Sequence, residues 1–165
     1  MNSKEVKGLA VINLTNGVKV GELERVFLDP KKKHVVGFVI DPGSGLLSPE
    51  ASLLADTIEV HSLGSGALTL DSATPRGGDT SARYGDLIDL ATLHGRQVFT
   101  VDGSYLGTIG SASFDERSFM MSAIEVSGGL FESNQEIPIS QIMTIGPEVV
   151  VVAAEAARSG APTSS

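Results

Sequence analysis

Short apolar runs alternate with clusters of Gly, Asn, Asp and Pro along most of the chain. That rhythm predicts strands joined by tight turns rather than long helices. The stretch VVGFVI at 35–40 is a nearly continuous β-branched run, which predicts a strand buried on both faces or closed into a barrel. ELERVFL at 22–28 alternates only roughly. Two Gly-led hairpins are expected, one from Gly64 (GSGALTL) and one from Gly146 (GPEVVVV). The longest apolar run, Val149 to Ala154, is far short of the ~20 residues of a membrane helix, so no membrane insertion is expected.

The pattern occurs twice. NGVKVGELERVFLD from Asn16 corresponds to DGSYLGTIGSASFD from Asp102, placing Gly17, Gly21 and Asp29 opposite Gly103, Gly107 and Asp115 at a constant offset of 86. Val35, Phe38 and Ile40 continue the series at Met121, Ile124 and Val126. Upstream, Gly8 and Val11 match Gly95 and Val98 at an offset of 87, so the first copy has one extra residue before the turn. Downstream, Leu63-Gly64 matches Ile145-Gly146 at 82, which assigns four extra residues to the loop between Gly43 and Val60.

Asn16-Gly17 and Asp102-Gly103 tolerate positive φ, so each predicts a tight type I′ hairpin turn. Gly21 and Gly107, early in the next strand, predict a bulge or a close backbone approach. Asp29 and Asp115 end strands and start turns. The expected organisation is a first repeat over 1–70, a linker over 71–85, a second repeat over 86–153 and a tail over 154–165. The polar linker reads as a flexible coil reaching on the order of 20 Å. A helical turn is expected after it with Asp86 as cap, and a short helix before the frayed terminus.

Composition narrows the options. Aromatics are 5% of residues and Trp is absent, so the core must be built mostly from Val, Ile and Leu, which suits strands. The net charge of −8 argues against direct nucleic-acid binding, which relies on basic surface. With no cysteine there is no disulfide framework, and the N-terminal stretch lacks the pattern of a secretion signal; a cytoplasmic location is expected.

In this order, the D/N-G turn, apolar-Gly step, strand ending in Asp, apolar strand and final apolar-Gly hairpin resemble the PRC-barrel family. GLAVINLTNGVKVGELERVFLD with VVGFVI and SLGSGALTL forms one unit. GRQVFTVDGSYLGTIGSASFD with SAIEV and TIGPEVVVV forms the other. The resemblance implies an all-β fold of two tandem small β-barrels with short helical turns in the connections. It also implies binding or assembly roles, as in the cytoplasmic part of the photosynthetic reaction-centre H subunit and a small-subunit ribosome maturation factor. The membrane helix of the former and the N-terminal domain of the latter have no counterpart in this sequence. The matching glycines and aspartates are structural in the family, so no site residues transfer.

Catalytic chemistry is not evident in the residues. His34, His61 and His94 occupy non-equivalent places in the two repeats and lack metal-ligand spacing, so they read as surface or turn residues. Gly43-Ser44-Gly45 and Gly128-Gly129 read as turns rather than phosphate loops, since neither lies between a strand and a helix. Asp29 and Asp115 could hold a cation, but a duplicated turn residue needs no such explanation, and they read as turn residues. Lys31-Lys32-Lys33 reads as a solvated turn, with an acidic partner or lipid headgroups as the alternative.

No catalytic, cofactor or metal residue is therefore assigned, and the chain is expected to be a non-catalytic protein-binding or assembly module with an unknown protein partner. Three alternatives stay open. They are an accessory subunit of a membrane or photosynthetic electron-transfer complex, a ribosome-maturation-like factor, and a small-ligand or metal-binding protein. Small barrels rich in apolar residues are also expected to support one another, by pseudo-twofold packing of the repeats or by homodimerisation.

Overall fold

A computed structural model describes residues 1–43, 52–71, 76–129 and 131–159. The first half contains β1 (Ala10–Asn13), β2 (Lys19–Asp29), β3 (His34–Asp41), β4 (Leu53–Asp56), β5 (Val60–Leu63) and β6 (Ala67–Leu70). Then come β7 (Arg76–Gly77), helix α1 (Thr80–Tyr84) and β8 (Ile88–Asp89). The second half contains β9 (Gln97–Thr100), β10 (Tyr105–Phe114), β11 (Met121–Gly128), β12 (Phe131–Pro138), β13 (Ile142–Ile145) and β14 (Val149–Val152), and helix α2 (Ala156–Ser159) follows.

The two halves are small β-barrels of one topology. Their strand orders, β5-β6-β1-β2-β3-β4 and β13-β14-β9-β10-β11-β12, correspond one to one. In each, the first strand lies parallel to the last (β1 with β6, β9 with β14) while the other neighbours run antiparallel. Register agrees residue by residue: Val39 lies opposite Leu54 as Glu125 lies opposite Glu136. The four extra residues expected in the first copy fall mainly on 44–51, outside the described residues.

The hairpin turns are not the two-residue type I′ turns expected from their sequences. In the second half Thr100 N–H donates to the Ser104 carbonyl and Gly103 N–H to the Thr100 carbonyl, which leaves 101–103 as a three-residue loop. In the first half Asn13 N–H donates to Val18 and Gly17 N–H to Asn13, enclosing 14–17. The one-residue slip between the repeats lies in this loop. Both loops end on a glycine in the left-handed region, Gly17 at φ 69° and Gly103 at φ 88°, as longer hairpin loops commonly do. Buried Asn13 and Thr100 hold corresponding places beneath the loops. Asn13 Oδ1 accepts from Thr15 N–H at 2.9 Å, and Thr100 Oγ1 accepts from Ser104 N–H at 3.0 Å.

The halves exchange their leading segments. Ile88 and Asp89 pair with Leu28 and Phe27 of β2, adding β8 to the first sheet. At the corresponding place in the other half, Asn2 bridges Ser113 and Phe114 N–H donates to the Met1 carbonyl. At the centre, Val35 N–H donates to the Phe119 carbonyl at 2.8 Å and Met121 N–H to the Lys33 carbonyl at 2.9 Å. These bonds map onto each other when the halves are interchanged. Phe119 packs edge-on to Phe38 at 5.9 Å and stacks on Phe114 at 6.4 Å, so one aromatic joins both interiors. The buried cluster is continuous, running from Val35, Phe38 and Ile40 to Leu106, Ile124 and Val126.

The linker is not a free coil where it is described. β7 pairs with β4, α1 is capped by Asp79, and Tyr84 is buried against Phe27, Val39 and Leu54 on the outer face of the first sheet. The Tyr84 ring stacks on Phe27 at 5.0 Å, and its hydroxyl donates to Asp56 Oδ1 at 2.8 Å. This explains why VVGFVI is apolar on both faces. In the second half the positions of Phe27, Val39 and Leu54 are taken by Ser113, Glu125 and Glu136, and among the described residues no helix equivalent to α1 lies on that face. Gly37 is required beneath the ring, since a Cβ there would stand 2.4 Å from Tyr84 Cζ. The cap expected at Asp86 is instead Asp89, which accepts from Ala91 N–H at 3.0 Å and starts a 3-10 turn over Leu90–Leu93. The short C-terminal helix is present, and the tail expected beyond it lies outside the described residues.

Candidate functional site

The residues singled out in the sequence have definite places where they are described. Gly21 lies at a register shift between β1 and β2, and Gly107 at one between β9 and β10. A Cβ on Gly21 would stand 2.2 Å from the Asp41 carbonyl oxygen, and one on Gly107 2.2 Å from that of Ser127. Gly64 and Gly146 close the β5–β6 and β13–β14 hairpins, donating to the Ala67 carbonyl at 3.0 Å and the Val149 carbonyl at 2.9 Å. Asp29 Oδ1 accepts from the backbone N–H groups of Lys31 and Lys32, and Asp115 Oδ1 from those of Arg117 and Ser118. Those bonds, chiefly from Lys32 and Ser118, hold both carboxyls below the usual aspartate range. They fix turns.

The histidines remain apart. His34 lies in the bridge between the halves, His61 Nδ1 pairs with Asp71 Oδ1 at 2.9 Å, and His94 Nδ1 contacts the Gly110 carbonyl at 2.9 Å. Among the described residues, no group of three or more His, Cys, Asp or Glu could hold a metal ion. Within the lysine run, Lys33 Nζ donates to the Ile142 carbonyl at 2.7 Å, so it ties the two halves together. Gly43, Gly128 and Gly129 have positive φ beside strand ends, while Ser44 and Gly45 lie outside the described residues. No helix among the described residues is long and apolar enough to cross a membrane.

A groove of about 670 Å³ lies between the halves. Phe27, Tyr84, Leu87, Ile88 and Ile145 give it an apolar floor, and Arg25 and Arg96 reach it from opposite halves. Arg25 sits at a register shift in β2, and its guanidinium lies over the Phe27 ring at 5.7 Å. Its Nε is buried without a hydrogen-bond partner. Arg96 is fixed by the Gly146 carbonyl and by Thr92 Oγ1 at 3.2 Å, and burial lowers its pKa. Neither arginine pairs with a carboxylate among the described residues.

A second concavity, lined in part by Leu63, Glu116 and Phe119, shares only two repeat-equivalent positions with this groove. Leu63 stands for Ile145 there, and Glu116 for Pro30. In the opposite copies, Ser111 and Leu9 occupy the positions of Arg25 and Arg96. Sequence reasoning passed over both arginines, because each sits alone in its repeat. A charged residue facing a small or apolar one in the other copy was the available signal.

Comparison with known proteins agrees with the duplicated topology. The PRC-barrel domain family model matches residues 1–73 and, separately, 85–158. No curated protein matches the chain.

Proposed function

The chain belongs to the PRC-barrel domain family through both of its halves, and on that premise we propose that it is a non-catalytic protein-binding or assembly module. One observation carries the reading, the outer edge of β12. Its counterpart β4 is covered by β7, where Leu53 pairs with Gly77 and Leu54 with Arg76. On β12 the equivalent residues are Gln135 and Glu136, and among the described residues no strand lies beyond them. An unpaired edge offers a row of backbone donors and acceptors to an extended segment. The first half shows the chemistry on this very topology, with an extended segment of the chain seated there. The β12 edge accordingly receives an extended segment of a partner protein.

A photo-reactive amino acid at Glu136, with Lys31 as control position, tests this in native extract. A partner cross-linked from Glu136 and not from Lys31 is the expected result. Co-purification of a partner that never cross-links at Glu136 contradicts it.

A further inference from the structure

We infer that the groove between the halves binds a small amphipathic oxyanion, a phosphate or carboxylate carried on an apolar body. The first argument is charge. The chain has net charge −8, yet two guanidiniums line this groove with no carboxylate partner among the described residues. Arginine forks match oxyanions, and a buried guanidinium N–H without an acceptor is costly unless something accepts from it. Arg25 Nε is such a group.

The second argument comes from within the molecule. The opposite repeats share the topology, but Ser111 and Leu9 stand at the positions equivalent to Arg25 and Arg96. The barrel therefore folds around that position with neither charge. Both arginines belong to one groove and not to the fold.

Third, the floor is apolar and ring-bearing, with Phe27 and Tyr84 beside Leu87 and Ile145. A cleft of about 670 Å³ with an apolar wall and a few convergent polar groups suits a small organic ligand. Asp89 also lines the groove, but its carboxylate caps the following turn. Asp86 is an exposed rim charge that opposes an anion and so offers a lever on the sign of the ligand. The inference uses none of the residues of the β12 edge and stands apart from the reading of partner binding.

The test is titration of the full chain with phenyl phosphate and with benzoate, followed by NMR at Ile88 and Ile145 and by calorimetry. Phenol and inorganic phosphate serve as half-ligands. At least one of the two amphipathic anions is expected to saturate, more tightly than either half-ligand, and the tighter one identifies phosphate or carboxylate as the headgroup. Arg25→Ser and Arg96→Leu, each taking the residue of the opposite repeat, should weaken it by about tenfold, the loss of one charge-assisted hydrogen bond. Asp86→Asn should tighten it. Amide spectra of the variants verify that the fold is kept. Failure of both anions to saturate, or affinity unchanged in a folded Arg25→Ser, Arg96→Leu double variant, overturns the inference.

Discussion

His34 and Met120 face one another across an antiparallel bridge, and they are the same position of the two repeats, 86 residues apart. The hydrogen bonds that flank them run from Val35 to Phe119 and from Met121 to Lys33, each half giving what it receives. Lys33 and Phe119 reach this geometry by taking positive φ, at 54° and 61°, which is uncommon for residues other than glycine. Strain of this kind persists where the surrounding contacts over-determine it. Those contacts here are the inter-half bonds, the Lys33 ammonium on Ile142 and the Phe119 ring between Phe38 and Phe114.

The two kinds of turn glycine should differ in their tolerance of a side chain. Gly103 has φ 88° with open space around it, so Gly103→Ala should cost about 1–2 kcal/mol from backbone strain alone. Gly107→Ala must also displace the Ser127 carbonyl, and its cost should exceed roughly 3 kcal/mol. Gly17 and Gly21 should show the same order. Urea unfolding of the four alanine variants measures it, and equal costs would remove the close-approach argument.

Tyr84 should matter as much as a core residue although it belongs to the segment between the repeats. Tyr84→Ala uncovers Phe27, Val39 and Leu54 and should cost about 3–5 kcal/mol. Tyr84→Phe keeps the ring on Phe27 and loses only the bond to Asp56, at about 1 kcal/mol. Burial raises the tyrosine pKa, with the Asp56 contact adding to it, so the hydroxyl should stay un-ionised well past the ordinary tyrosine range. Thermal or urea unfolding separates the two variants, and ultraviolet titration checks the ionisation.

Asp29 and Asp115 make a pH-dependent contribution whose sign follows from their lowered pKa. A carboxyl that is more acidic folded than unfolded stabilises the protein above its unfolded value, near 3.9. That contribution is lost as pH falls through the folded value. The stability gap between wild type and Asp29→Ala, or Asp115→Ala, should therefore be full at neutral pH and shrink below about pH 4. Unfolding measured at pH 7 and pH 3 checks this; a gap that widens in acid would assign the carboxyls a different role.

The duplication, the strands and the order of turns were legible because they depend on local chemistry repeated at fixed spacing. Asp29 and Asp115 are readable as turn residues for the same reason. The β8 exchange was not, since two residues, Ile88 and Asp89, give no periodic signal and their partners in β2 lie far away in sequence. α1 was hidden because a helix of five residues in a Ser-, Thr- and Gly-rich segment has no apolar period to show. The hairpin loops were misjudged as two-residue turns because Asn-Gly and Asp-Gly also end longer loops on a left-handed glycine. Arg25 was obscured by the irregular register of β2, which breaks the alternation that would have marked its face.

The two barrels form one interlocked body, with exchanged leading segments and a shared core. Residue-resolved hydrogen exchange of the intact chain in rising sub-denaturing urea tests that directly. Val39 and Ile40 report on β3, and Ile124 and Val126 on β11. Amides of both strands should converge on a single opening free energy, the global one, because neither half can open without exposing the other. Two separate plateaus, with one barrel opening while the other stays fully protected, would contradict it.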